Sequence, residues 1–264
     1  MSRAVSQGAA LERLTAAYRV RFDESTPAGT VRASALVRYA QDAAWVHSEA
    51  LGYDRTWYAE RGLTWLVRSL ELCILEPAVT GVTLEVTTRV TGYRKVWARR
   101  LATIADRTGD LAAWIHTDWV MVDGRGLPHR VPEEFQRRFV VPEAGFDPVR
   151  VPALDPPDDA VHVPLAVRRG ELDPMGHANN AVYIDYLEEA VGRSGTGALL
   201  LETVPRTYRG EYIASAVPAA ELLGEAWPDG PGQRYRLSGR GGGDLFRGIL
   251  VPRAAPTPEA AGGG

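Results

Sequence analysis

The chain has 264 residues, 45% of them hydrophobic and 24% charged, which is enough to bury a full core in one large domain or two small ones. Its formal net charge of −3, with Lys95 the only lysine, excludes a general electrostatic attraction to nucleic acid. A single cysteine, Cys73, excludes an intramolecular disulfide, and no run approaches a membrane span or the apolar core of a signal peptide, so the expectation is a soluble cytoplasmic protein.

In chain order, residues 18–22 read as a short strand, and residues 31–50 as a helix whose apolar face includes Ala35, Leu36, Tyr39, Ala43 and Val46. Gly52 ends it. Residues 63–75, 82–91, 96–106 and 111–122 are rich in Val, Leu, Thr, Ile and Trp and are separated by turn signals, the pattern of an antiparallel meander. From 124 to 160 prolines and charges accumulate, as in an extended linker. The pattern then restarts with a strand at 161–168, a polar loop, a helix at 180–191, and strands near 203–213, 219–227, 233–237 and 245–251. The tail, 253–264, has the small, polar composition of a disordered end.

The polar loop carries the chemistry. It runs from Glu171 through Asp173, Pro174, Met175, Gly176, His177, Asn179 and Asn180 straight into the amphipathic helix. Asp173 and His177 offer a base and a hydrogen-bond donor, and the helix start at Asn179 or Asn180 offers free backbone N–H groups where an oxygen gaining negative charge is stabilised. The same segment has an echo 147 residues earlier: Val20, Arg21, Glu24, Pro27, Gly29, Tyr39 and Ala43 match Val167, Arg168, Glu171, Pro174, Gly176, Tyr186 and Ala190. This reads as an internal duplication. Thr26 stands where the second copy has Asp173, and Thr30 where it has His177.

Two copies of strand, buried helix and meander describe an α+β double hotdog, with two tandem antiparallel sheets each wrapped around a central helix. At this point the chain resembles the acyl-ACP thioesterases of plants and bacteria. The residues that carry the resemblance are 18–23, Trp119 to Asp123, Leu172 to Glu189 and Tyr208 to Glu211, with His177-Ala178-Asn179-Asn180 before Tyr183-Ile184 as the sharpest element. The resemblance implies a first hotdog repeat at 1–123 that binds the acyl chain and lacks the catalytic loop residues, a linker at 124–160, a catalytic second repeat at 161–252 and the tail at 253–264. It places catalytic groups on Asp173, His177 and Glu211. It departs from the family at Met175, where an Asn is common, and at Tyr212, where a Cys is common, so a cysteine nucleophile is excluded at that site.

Each of these residues also has a plain reading. Asp173 before Pro174 is a common turn pair, His177 alone a solvated loop residue, Asn179 and Asn180 good helix caps, and Glu211 a solvent-facing strand residue. Glu188 and Glu189 read as a polar helix face, and Arg94, Arg99, Arg100, Arg137, Arg138, Arg168 and Arg169 as mostly solvated surface, a subset of which would touch an acidic carrier or a phosphopantetheine phosphate. Six tryptophans fall in the first half, Trp45, Trp57, Trp65, Trp97, Trp114 and Trp119. Core packing accounts for most of them, with Trp45 and Trp65 the candidates to line an acyl-chain tunnel. No metal-ligand spacing, phosphate loop or G-x-S-x-G elbow occurs, and no cofactor is expected. The expected function is hydrolysis of fatty acyl-ACP to free fatty acid, with acyl carrier protein as partner and a homodimer left open. An acyl-CoA thioesterase, a non-catalytic acyl-binding hotdog protein and a dehydratase are the alternatives.

Overall fold

A computed structural model describes residues 12–139, 141 and 145–256. The expectations for residues 1–11 and for the tail beyond residue 256 lie outside the described residues. Ten strands form one antiparallel sheet in the order β1-β3-β4-β5-β2-β7-β10-β9-β8-β6. The first half supplies β1 (Arg13–Arg19), β2 (Leu63–Ile74), β3 (Thr83–Arg94), β4 (Trp97–Ala105) and β5 (Leu111–Asp123). The second supplies β6 (Val161–Ala166), β7 (Arg206–Tyr212), β8 (Glu221–Asp229), β9 (Gly232–Gly239) and β10 (Asp244–Val251). One long helix per half lies on the inner face of the sheet: α1 (Ala33–Ala50) against β1 and β3, and α4 (Val182–Val191) against β6, β8 and β9.

The double hotdog fold holds, with one difference from two separate sheets. β2 and β7 are hydrogen bonded edge to edge, from Ser69 opposite Glu211 to Ile74 opposite Arg206. Each is the inner edge of its half, and an unpaired edge would expose a row of N–H and C=O groups. Joining them satisfies both. The apolar residues of the two inner faces and both helices form one continuous core that includes Leu36, Leu70, Leu72, Ile184, Leu187 and Leu250.

The linker is more structured than its proline content suggests. Residues Glu133–Arg138 form a short helix, α3, whose Phe135 is buried, and the extended stretch after it crosses the outer face of the sheet. There the buried carboxylate of Asp118 accepts the Val149 N–H at 3.1 Å, and that of Glu211 accepts the Val151 N–H at 3.0 Å. Short helices α2 (Arg55–Arg61) and α5 (Gly195–Glu202) were also not evident from periodicity, since each spans barely two turns. Both begin at a side-chain cap, Asp54 to the Trp57 N–H and Ser194 to the Gly197 N–H.

Candidate active site

The duplicated segment folds twice into the same object. In each copy a single 3-10 turn, Phe22–Glu24 or Arg169–Glu171, leads into a tight loop closed by a backbone pair, Thr26 N–H to Thr30 O at 2.7 Å and Asp173 N–H to His177 O at 2.8 Å. Gly29 and Gly176 sit at φ +76° and +78°, a left-handed turn position that other residues rarely adopt. The matched tyrosines anchor the turns alike: Tyr39 donates to Glu24 and Tyr186 to Glu171, both at 2.6 Å. Matched glutamates and tyrosines therefore recur because they build the loop, independently of any chemistry on it.

The side chains at the loop tips differ. Thr26 and Thr30 hydrogen bond to each other at 3.0 Å, which closes that loop on itself. In the second copy Asp173 Oδ1 accepts the N–H groups of Met175 and His177, at 2.8 and 3.4 Å, while Oδ2 has no partner among the described residues. Asn179 Oδ1 accepts the Ala181 N–H at 2.9 Å, and α4 begins at Val182, two residues later than expected. The Asn180 N–H is unpaired among the described residues, and the Asn180 carbonyl is held by the Tyr212 hydroxyl at 2.8 Å. Tyr212, at the position where the resemblance called for Cys, thus braces the loop. The His177 ring is half-buried and makes no hydrogen bond among the described residues.

A cavity of about 680 Å³ opens beside this loop. Asp173, Pro174, Met175, Asn179 and Asn180 of the second half line one part of it, with Pro174 and Met175 exposed at its rim. Everything else that lines it comes from the first half and the linker: one side of α1, Trp45, Trp65 and Trp119, and Phe135 and Phe139 from the α3 region. Trp45 donates to Glu49 at 2.7 Å and Trp65 to the Tyr58 hydroxyl at 3.1 Å, bonds that fix both indoles in the wall. Its size and its largely apolar and aromatic walls suit an elongated ligand with one polar end at the loop.

The structure brings Asp173, Asn179, Asn180, Trp45 and Trp65 to this cavity, while His177, in the same loop, is not among the residues that line it. It does not bring Glu211 there. Along β7 side chains alternate, and Tyr208 and Tyr212 point into the core, so Glu211 between them points to the outer face. It is buried under the linker, paired with Arg150 at 2.5 Å as well as with Val151. Glu188 turns inward, where Tyr208 donates to it at 2.6 Å and burial pushes its carboxyl above the ordinary range; Glu189 stays exposed on Arg193.

Arg100, expected on the surface, lines the cavity, as do Tyr58, Tyr93, Phe135 and Phe139, none of which the sequence had marked for a site. The alternation that puts Ala98 and Ala102 in the core also places Arg100 on that face, the one signal that was available. Among the described residues no group of His, Cys, Asp or Glu side chains could hold a metal ion, and no helix is long and apolar enough to cross a membrane.

Residues 12–139 match the family model of the acyl-ACP thioesterase N-terminal domain. Over 250 residues the chain is 24% identical to a chloroplastic acyl-[acyl-carrier-protein] hydrolase of Cuphea viscosissima, covering 88% of this chain and 60% of that protein. It is 25% identical to a chloroplastic palmitoyl-acyl carrier protein thioesterase of Cuphea hookeriana, covering 93% of this chain and 65% of that one. The chain thus spans under two thirds of the length of these relatives. The solved structure of a 12:0-ACP thioesterase from Umbellularia californica superposes with a TM-score of 0.77 at 20% identity, over 92% of this chain and 98% of the other, and shares the fold. The family model, which spans just under half of the chain, and both sequence relatives make the chain similar to acyl-ACP thioesterases.

Proposed function

We propose that the protein hydrolyses fatty acyl thioesters carried on acyl carrier protein, releasing free fatty acid and holo-ACP. The observation that carries this reading is a cavity of about 680 Å³ lined by aromatic side chains of the first half together with a carboxylate, Asp173, and the residues that lead into α4, Asn179 and Asn180. With the acyl chain in the first half, the thioester carbonyl lies by Asn180, whose N–H and helix-start dipole stabilise oxygen as it becomes negative. Asp173 Oδ2 takes a proton from water, the water oxygen bonds to the carbonyl carbon, and collapse of the tetrahedral intermediate breaks the C–S bond. The thiolate leaves with that proton. His177 acts in this reading as the donor that orients the water or the leaving group, after a side-chain rotation toward Asp173. Glu211 is assigned to the linker clamp and takes no part in the chemistry. The carrier is assigned to ACP on the names of the relatives above, and a cytoplasmic location accompanies the proposal on the strength of the lone cysteine.

The test is thiol release from matched panels of acyl-ACP and acyl-CoA. Turnover with acyl-ACP at higher kcat/KM supports the reading, and a preference for acyl-CoA moves the carrier assignment. Chain binding without turnover on either carrier overturns hydrolysis and leaves an acyl-binding protein.

A further inference from the structure

The part of the cavity away from the Asp173 loop is not lined as a methyl terminus would require. Arg100 enters the wall there. One guanidinium nitrogen donates to His47 Nδ1 and the other to Ser48 Oγ, both at 3.1 Å, and among the described residues no carboxylate pairs with it. Its neighbour Arg99, on the outer face, has a full partner in Asp118 at 2.6 and 2.9 Å. A guanidinium stays protonated and carries five N–H donors, so Arg100 is a half-buried cation with donors to spare beyond those that reach His47 and Ser48.

Two more polar atoms near it are also unmatched. The Tyr93 hydroxyl and the Trp119 indole N–H are buried without a hydrogen-bond partner, and both residues line the cavity. Strand register puts them together with Arg100. Ala98 on β4 lies opposite Tyr93 on β3 and opposite Trp119 on β5, and Arg100 is the next residue on the same face of β4. Around one small alanine, therefore, three side chains gather whose unmet capacity is almost entirely donor. Ser48, which holds Arg100, is ten residues along α1 from Arg38, the residue that pairs with Asp185 beside the loop, so this cluster lies about 15 Å down the helix from the reacting end.

We propose that the pocket selects acyl chains carrying an oxygen function remote from the thioester, a terminal carboxylate best of all and a hydroxyl or carbonyl next, with Arg100 as the specificity-determining residue. The inference rests on the acyl-thioester reading above, and deepens it by naming the substrate class. A methyl end would leave the cation without a counter-charge and the Tyr93 and Trp119 groups without a partner, whereas a carboxylate supplies both the charge and the acceptors.

The experiment uses three pantetheine thioesters of one chain length, ending in methyl, hydroxymethyl or carboxylate, together with their non-hydrolysable amide counterparts. Wild-type protein should bind the carboxylate-ended amide at least tenfold more tightly than the methyl-ended one, and kcat/KM of the thioesters should follow the same order. Arg100→Met should bring the ratio near one, and Tyr93→Phe should reduce it; thermal melting of each variant reports its folding. Should Arg100→Met fail to fold, Arg100→Lys and Tyr93→Phe carry the test, because each keeps the charge while altering the donor set. Equal or better binding of the methyl-ended amide by wild type, or no binding of any amide, overturns the inference. A tenfold preference in amide binding with no thioester turned over keeps it and overturns hydrolysis instead.

Discussion

Beneath α4 the second half is packed solid: Tyr183, Tyr212, Tyr235 and Phe246 fill the space, with ring centroids 4.9 to 6.1 Å apart, and Leu187 rests on Gly248 so closely that a Cβ there would lie 2.5 Å from its Cδ1. Beneath α1 the first half is hollow, and the cavity of about 680 Å³ opens between small residues such as Ala44 and Ala98. The loops divide the other way. The hollow half has a loop sealed by paired threonines, and the solid half has the loop with a free carboxylate oxygen, which reaches over into its neighbour's cavity. In the function proposed above, one copy keeps the reacting groups and the other the room for a chain, so neither half alone would contain the site.

The seam between the halves teaches the same point. Residues that face their own counterpart across the pseudo-two-fold axis have become opposites: Arg38 pairs with Asp185, 147 positions on, at 3.1 Å, and Glu71 with Arg209, 138 positions on, at 2.7 Å. The smaller spacing reflects a shorter helical segment in the second half. Two identical halves would set like charges against each other at both places. Each pair adds little stability where it is exposed, but together they favour the joined halves over two copies of either one.

The two loops carry the largest expected difference between the halves. Asp173→Asn keeps size and removes the charge, and turnover of acyl-ACP should fall by about a hundredfold or more with acyl-chain binding retained. Thr26→Ala should be nearly silent. Equal losses in two folded variants would mean that both loops act.

Packing offers the next largest effect. Gly248→Ala should destabilise by about 1–3 kcal/mol, because Leu187 has nowhere to move. Ala44→Leu, which adds volume to the hollow half, should leave the urea midpoint nearly unchanged and instead weaken kcat/KM for the longest chains. A stability loss for Ala44→Leu as large as that for Gly248→Ala would show that the cavity is not available space.

Glu211 sharpens the contrast between the faces of the sheet. Glu211→Gln should cost about 1–2 kcal/mol by weakening the charge-assisted bonds to the linker, while turnover per folded molecule changes by about twofold at most. A hundredfold fall in kcat with an unchanged melting temperature would return this residue to the chemistry.

The smallest effect expected is on pH dependence. Burial first, and the charge of Arg99 next, lower His116 on β5 from 6.5 to about 4, so it stays neutral in the folded protein. Below pH 6.5 the unfolded chain takes up this proton and the folded protein does not. Stability conferred by the neutral ring is therefore full above about pH 6.5 and lost progressively as pH falls toward 4. Urea titrations from pH 7 to 4.5 should show a shallower slope for His116→Gln than for wild type, and an identical slope would remove the group from the balance.

What the sequence determined by itself was whatever depends on neighbours along the chain. The loop from Glu171 to Asn180, its echo at Glu24, the two long helices and ten strands all follow from turn residues, caps and period, which are local rules. Most strand ends shifted by a few residues, but the first strand, expected at 18–22, runs Arg13–Arg19, with Phe22 already in the 3-10 turn; the short helices α2, α3 and α5 escaped because two turns carry too little pattern to stand out.

Only the tertiary structure decided which face of each strand looks inward and what lies across from it. Alternation groups Tyr208 with Tyr212 and sets Glu211 apart from them, but it does not say which group meets the helix, and a linker 60 positions away claimed the glutamate. Arg100 likewise shares a face with Ala98 and Ala102, and only the strands and helix around it turn that face into the wall of a cavity. Cavities are made by residues far apart in sequence, where packing rather than local preference fixes what remains empty.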